Sequence, residues 1–337
     1  MQRRDFVRSA TTTTFGFSIF ANKYLQTGKM GISGLYENLK TKDFLGKVKI
    51  VTEIPAVEVF TEGPAADHNG NVYFTNIRTE KILKWDVHDK TLTDFWQNSN
   101  QANGLRFKSK DQLLVCEGSS GAVSEIEIGT QKRTVLVDTF NGKKLQSPND
   151  LDIDSQGRIY FSSRSDNADL SVQNKKGVYR LDPDGRLTQL LVEPEIDMPN
   201  GIVISPDEKT LYLIEAHSGS GRNRCILAFD LQQNGSISNR RTLIDFYPGR
   251  SGDGMCIDQN GNLYVAAGLH QTRGTSETLD TRPGIHVISP EGQLLAFRQT
   301  PVDTITNCTF GGKDLKTLYI TCGKYLLSIR TKIPGKH

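Results

Sequence analysis

From Lys47 onward this chain reads as short apolar runs separated by turn residues, and the runs recur in phase. Around Asp253, a carboxylate between two glycines leads into one run, a tight turn at Asn260-Gly261 and a second run ending at Ala266. Asn-Gly between two apolar runs is a strong hairpin signal, because only residues tolerating positive φ fit the turn. Comparable modules lead off with Glu62, Asn103, Asn149, Asn200 and Asn307. Eleven or twelve residues after each leading residue stand Tyr73, Leu114, Tyr160, Tyr212, Tyr264 and Tyr319, so the leading polar residues share one phase.

Each of the first five modules continues into two more strand-like runs, at 82–86 and 91–96, 123–128 and 133–137, 177–181 and 187–191, 225–229 and 241–245, and 284–288 and 293–297. Four strands per unit, repeated at roughly 40 to 55 residues, predict an all-β fold, a six-bladed β-propeller. The sixth unit has only one further run, 325–329, and is one strand short. The unassigned run 47–52 supplies it and closes the ring, which removes an open sheet edge. Upstream, Leu35, Leu39 and Phe44 have helical spacing and predict a short helix within 33–44. The expected organisation is an export signal over 1–30, an N-terminal segment over 31–46 and the propeller over 47–335.

In a propeller the first strand of each blade lines the central channel. Glu62, Asn103, Asn149, Asn200, Asp253 and Asn307 therefore converge on one axis, two carboxylates among four amides with no Lys or Arg. Such hard oxygen donors favour calcium or magnesium over zinc or copper, and calcium accepts the irregular geometry of a strand ring more readily. None of the six histidines has His-x-x-His spacing.

A net charge of +3 gives no reason to expect nucleic acid or an acidic membrane as partner. Cys116, Cys225, Cys256, Cys308 and Cys322 are scattered, without a Cys-x-x-Cys pair, and read as small buried hydrophobes; Cys308 and Cys322, on neighbouring strands, are the one candidate disulfide. Arg3-Arg4 followed by an apolar stretch free of acidic residues resembles a twin-arginine export signal, and that stretch is too short to span a membrane. Export would place the folded protein in the periplasm. The chain has no serine-esterase elbow, no Walker loop and no dinucleotide fingerprint.

Glu62-Gly63-Pro64, Ser147-Pro148-Asn149-Asp150-Leu151, Pro199-Asn200-Gly201 and Asp253-Gly254-Met255 together resemble the SMP-30, gluconolactonase and regucalcin family. The stretches 140–150 and 306–312 are similar to its bacterial gluconolactonase branch. The resemblance covers roughly residues 50 to 335. It implies a calcium-dependent hydrolase that opens a sugar lactone, its ion held by Glu62, Asn149, Asn200 and Asp253, with magnesium, manganese or zinc as substitutes. The ion would polarise the lactone carbonyl, and Asp253 would orient or deprotonate the attacking water. Asn103 falls where the family tends to place a residue that contacts substrate or supports one that does. Glu117, Arg164, His217, His270 and Asn307 complete the expected substrate contacts. The chain departs from many bacterial relatives at Cys116-Glu117-Gly118 and at Phe161-Ser162-Ser163-Arg164, positions that border the pocket. Two other readings stay open: a promiscuous arylesterase or phosphotriesterase on the same metal, and a non-catalytic sugar-binding propeller in which calcium is structural.

Overall fold

The computed structural model describes residues 35–336, so the Arg3-Arg4 motif and the expected signal over 1–30 lie outside the described residues. Every strand among the described residues falls in one compact unit, Asn38–His337. It is a six-bladed β-propeller of four-stranded antiparallel sheets. Blade 1 runs Thr61–Ala66, Val72–Asn76, Lys81–Asp86 and Thr91–Gln97, and blade 2 runs Ala102–Ser109, Gln112–Glu117, Ala122–Glu127 and Lys132–Val137. Blade 3 is Pro148–Ile153, Ile159–Ser163, Gly177–Leu181 and Leu187–Val192, and blade 4 is Pro199–Ile204, Thr210–Ala216, Arg224–Leu231 and Ile237–Asp245. Gly252–Ile257, Leu263–Ala267, Gly284–Ile288 and Leu294–Gln299 make blade 5.

Blade 6 takes Ile305–Gly311, Thr317–Cys322 and Tyr325–Thr331 from the end of the chain and its outer strand, Leu45–Glu53, from the beginning. That strand runs antiparallel to Tyr325–Thr331, with Val48 opposite Ile329 and Ile50 opposite Leu327. The innermost strands of all six blades pack neighbour to neighbour around the ring, including the closing contact between blades 6 and 1. The helix expected within 33–44 is one turn, Thr41–Phe44; Ser33 and Gly34 lie outside the described residues.

The apolar side chains divide into six buried clusters, each lying between two adjacent blades. Every blade thus buries both faces, which is why the second strands read as unbroken apolar runs such as Leu113-Leu114-Val115-Cys116 and Leu211-Tyr212-Leu213-Ile214 instead of alternating. The hairpins between first and second strands are held by side chains. Asp258 accepts the backbone N–H groups of Asn260 and Asn262, each at 2.9 Å, and Gly261 takes the left-handed conformation, φ +84°, that the turn needs.

The candidate disulfide is not formed. All five cysteines are free and buried. Cys308 stands opposite Ile320 and Cys322 opposite Ile305, so the two side chains do not face each other across the ladder. Cys308 instead reaches between blades, its Sγ 3.5 Å from that of Cys256.

Candidate functional site

In every blade the register between first and second strands slips by one residue at the leading polar position. The shifts fall between Glu62 and Ala65, Ala102 and Leu105, Pro148 and Leu151, Pro199 and Ile202, Gly252 and Met255, and Ile305 and Asn307. Each is a β-bulge, which frees a residue from the ladder and re-aims its side chain. Asn103, Asn149, Asn200 and Asp253 lie inside their bulges, and Glu62 and Asn307 flank theirs. The six bulges crowd the axis. A Cβ on Gly254 would come within 2.0 Å of the Asn307 side chain, and one on Gly63 within 2.0 Å of the Asn103 carbonyl oxygen. Glycine follows the leading residue there because the next innermost strand occupies the space a side chain would need.

Across the axis, Asn307 Nδ2 donates to Asp150 Oδ2 at 3.2 Å, joining blades 6 and 3 on opposite sides of the ring. Further along the channel the buried Asp152 carboxylate meets Arg106 at 3.2 Å and Lys336 at 3.5 Å. The channel is therefore bridged at Asn307 and again further along at Asp152.

Above this floor, Asn200 Nδ2 donates to Asp253 Oδ1 at 2.6 Å. Arg250 holds Asp253 Oδ2, and its other terminal nitrogen donates to the carbonyls of Ile305 at 3.1 Å and Gly268 at 3.3 Å. Glu62 is buried, and Gly63 N–H reaches its Oε2 at only 3.3 Å. Burial, with the Asp253 and Asp150 carboxylates adding repulsion, pushes its carboxyl well above the ordinary range, while Gly63 N–H and the Arg164 charge pull the other way. The Asn149 amide is buried and makes no hydrogen bond among the described residues.

These residues fit a hard divalent cation. The donors are buried carboxylate and amide oxygens, Glu62 is repelled by the Asp253 and Asp150 carboxylates, and each carboxylate oxygen of Asp253 keeps an unused lone pair. A cation here would need the amides as well, since among the described residues no three of His, Cys, Asp and Glu are arranged to hold a metal ion by themselves.

The expected substrate contacts separate in the structure. Arg164 lines a cavity of about 160 Å³ together with Asn200, Arg250, Asp253, Arg273 and Glu277. Asn103 lies in the blade 2 bulge, its carbonyl accepting from Thr75 Oγ1 at 3.1 Å. Asn307 belongs to the floor. His217 Nδ1 accepts Gly219 N–H at 2.9 Å, and burial with the Arg222 and Lys176 charges lowers its pKa, favouring the neutral ring. His270 Nε2 lies 3.0 Å from the Thr300 carbonyl.

Glu117, expected to meet substrate, is instead occupied: Arg133 bonds both of its oxygens, and Ser120, Ser124 and Asn100 add to them. Its blade equivalents do similar work. Asn76 bonds Phe60 N–H at 3.0 Å and the Glu58 carbonyl at 3.1 Å, and Glu215 Oε2 accepts the N–H groups of Asp197 and Met198 at 2.7 and 3.0 Å. A polar residue closing the second strand thus braces the backbone leading into the bulge of its own blade. Arg250 and Asp150 were absent from the expected set, although each sits within three residues of a leading residue. Glu215 left one faint signal, a charge ending an otherwise apolar run.

Comparison with known proteins agrees with this architecture. Residues 60–324 match the sequence model of the SMP-30/Gluconolactonase/LRE-like region. A gluconolactonase from Zymomonas mobilis is 30% identical over 322 residues, covering 87% of this chain and 85% of its own. The solved structure of a gluconolactonase from Xanthomonas campestris superposes with a TM-score of 0.72 at 28% identity, covering 86% of this chain and 91% of its own. Regucalcin from Agrobacterium tumefaciens, described as a calcium-binding protein, shares the fold at 18% identity and a TM-score of 0.67, over 87% and 98% of the two chains. With its six bulged strands, its axial carboxylates and amides and a match over most of its length, the chain belongs to the SMP-30/gluconolactonase/LRE-like family.

Proposed function

We propose that this protein is a hydrolase that opens a sugar lactone, with a calcium ion held by Glu62, Asn149, Asn200 and Asp253. The observation that carries the reading is the Asn200–Asp253 pair at the wall of a cavity of about 160 Å³, with the buried Glu62 carboxylate close enough for Asp253 to repel it. That cavity is smaller than the roughly 300–1,000 Å³ common for drug-sized ligands and suits a single small ring. The Zymomonas mobilis and Xanthomonas campestris relatives, both called gluconolactonases, and the calcium-binding regucalcin support it.

When bound, the ion supplies Lewis-acid polarisation of the lactone carbonyl. The protein's own residues do the rest. Asp253 is fixed through both oxygens by Asn200 and Arg250, so its orientation is set before substrate arrives and it can align or deprotonate the attacking water. Glu62, a second buried carboxylate, would help to neutralise the ion, and the Asn307–Asp150 bridge spans the channel. Arg164, at the cavity wall, is available to position the ring substituents.

The test is hydrolysis of a panel of sugar lactones by purified protein, stripped with chelator and then reloaded with calcium, magnesium, manganese or zinc. Turnover lost on stripping and restored best by calcium is the expected result. Faster hydrolysis of aryl esters or phosphotriesters would move the assignment to those substrates, and inactivity with every metal would make the protein a sugar-binding propeller. Export to the periplasm is part of the same proposal; it rests on Arg3-Arg4, and fractionation of cells expressing the wild type and Arg3→Lys/Arg4→Lys chains tests it.

A further inference from the structure

The cavity beside Asp253 is lined by three guanidinium groups, Arg164, Arg250 and Arg273, and two carboxylates, Asp253 and Glu277. These groups are not equally engaged. Arg250 is consumed by Asp253 and two backbone carbonyls. Arg273 leans on Asp303 at 3.3 Å and Thr304 Oγ1 at 3.4 Å, long contacts that hold it loosely. Arg164 is half-buried, and its guanidinium has no hydrogen bond or ion pair among the described residues. Its backbone is nonetheless fixed, since its N–H donates to the Ser147 carbonyl at 3.0 Å directly after the second strand of blade 3.

A guanidinium at a cavity wall with no protein partner is open to pair with an anion that the ligand brings. Within the protein the Arg164 charge reaches Glu62, and Asp253 and Glu277 line the same cavity without bonding the guanidinium. In the proposed function the Glu62 carboxylate is committed to a divalent cation, and two positive charges then share the cavity. A neutral polyhydroxy ring offers guanidinium groups only hydroxyl acceptors, whereas a carboxylate or phosphate matches their planar donor pairs.

We infer that the cavity selects lactones that carry an anionic group, a carboxylate or a phosphate, seated on Arg164 with Arg273 lining the same cavity. This rests on the lactonase reading and specifies its substrate class. Arg164 is then a specificity-determining residue.

The experiment compares kcat/KM of the metal-loaded wild type and Arg164→Met proteins on glucono-1,5-lactone, on a glucaric acid lactone and on 6-phosphogluconolactone. Wild type is expected to prefer one anionic lactone over the neutral one by about tenfold or more, as one charge-assisted contact would give. Whichever anionic lactone is faster identifies the group, and its advantage shrinks as salt is raised. Arg164→Met lowers the rate on that lactone, mainly through KM, about tenfold more than on the neutral lactone. Equal losses on both, or no anionic preference in the wild type, overturn the inference while leaving lactonase activity in place. Inactivity on all three overturns both readings. Thermal denaturation confirms that Arg164→Met is folded.

Discussion

Asn307 and Asp150 lie in blades on opposite sides of the ring, yet Asn307 Nδ2 donates to Asp150 Oδ2 at 3.2 Å. Two strands far apart in sequence are thus tied across the axis, and the ligand cavity gains a polar floor. Buried donors and acceptors left unpaired cost about 1–3 kcal/mol. Asn307→Ala is therefore expected to lower the unfolding free energy by an amount in that range. Asn307→Asp should cost more, because it sets a second carboxylate against Asp150. Chemical denaturation at neutral pH checks both.

Close approach of the blades makes a sharp prediction at Gly254. Any side chain there meets Asn307, so Gly254→Ala is expected to lower both thermal stability and turnover. Gly129, with nothing within 4 Å of a Cβ, provides the control; Gly129→Ala should leave Tm within about a degree, because a surface substitution changes little. Melting curves and initial rates on both variants decide it.

Arg250 anchors Asp253 and also reaches carbonyls on blades 5 and 6. A lysine cannot make the same set of planar contacts. Arg250→Lys is expected to reduce kcat by about ten- to a hundredfold, the equivalent of losing a hydrogen bond to a charged group, with a smaller change in KM. A fall in KM-dependent binding with kcat intact would show that Arg250 holds substrate rather than Asp253.

Glu215 sets a pH dependence. Burial raises its carboxyl from the ordinary range to about 7, despite the N–H groups of Met198 and Asp197 that favour the charged form. A carboxyl whose pKa is higher when folded binds its proton more tightly in the folded state. Its stabilising effect is thus complete below about 4.5 and is lost as pH rises through about 7. Glu215→Gln keeps an acceptor for both N–H groups and should flatten stability between pH 5 and 8. Unfolding free energies of both proteins at those two values measure the difference, expected to be a few kcal/mol in the wild type.

Ring closure depends on Leu45–Glu53. A chain starting at Ile54 would leave Tyr325–Thr331 as an open edge, which invites pairing with other chains. It is expected to melt lower and to aggregate, whereas a chain starting at Asn38 keeps the strand and should remain monodisperse in size-exclusion chromatography.

The propeller was legible because its signals are local and repeated. Asn260-Gly261 makes its turn from its own residues, and six copies of the module in phase specify six blades. The orphan run at 47–52 announced the closing strand for the same reason, since a ring of four-stranded sheets lacking one strand has a single place for it. The candidate disulfide failed because Cys308 and Cys322 are close in sequence and adjacent by strand but out of register. The sulfur that does approach Cys308 belongs to Cys256 on another blade.

The sequence by itself determined which residues lead the innermost strands, because their spacing from the following Tyr or Leu is a property of one hairpin. It could not show that Glu117 is taken up by Arg133 and two serines, that Arg250 grips Asp253, or that Asn307 spans the ring to Asp150. Those facts depend on side-chain direction and on distances between strands remote along the chain, set only when bulges, twist and ring closure bring all six blades to one axis. Local pattern supplied the candidates, and tertiary packing decided which of them share a cavity.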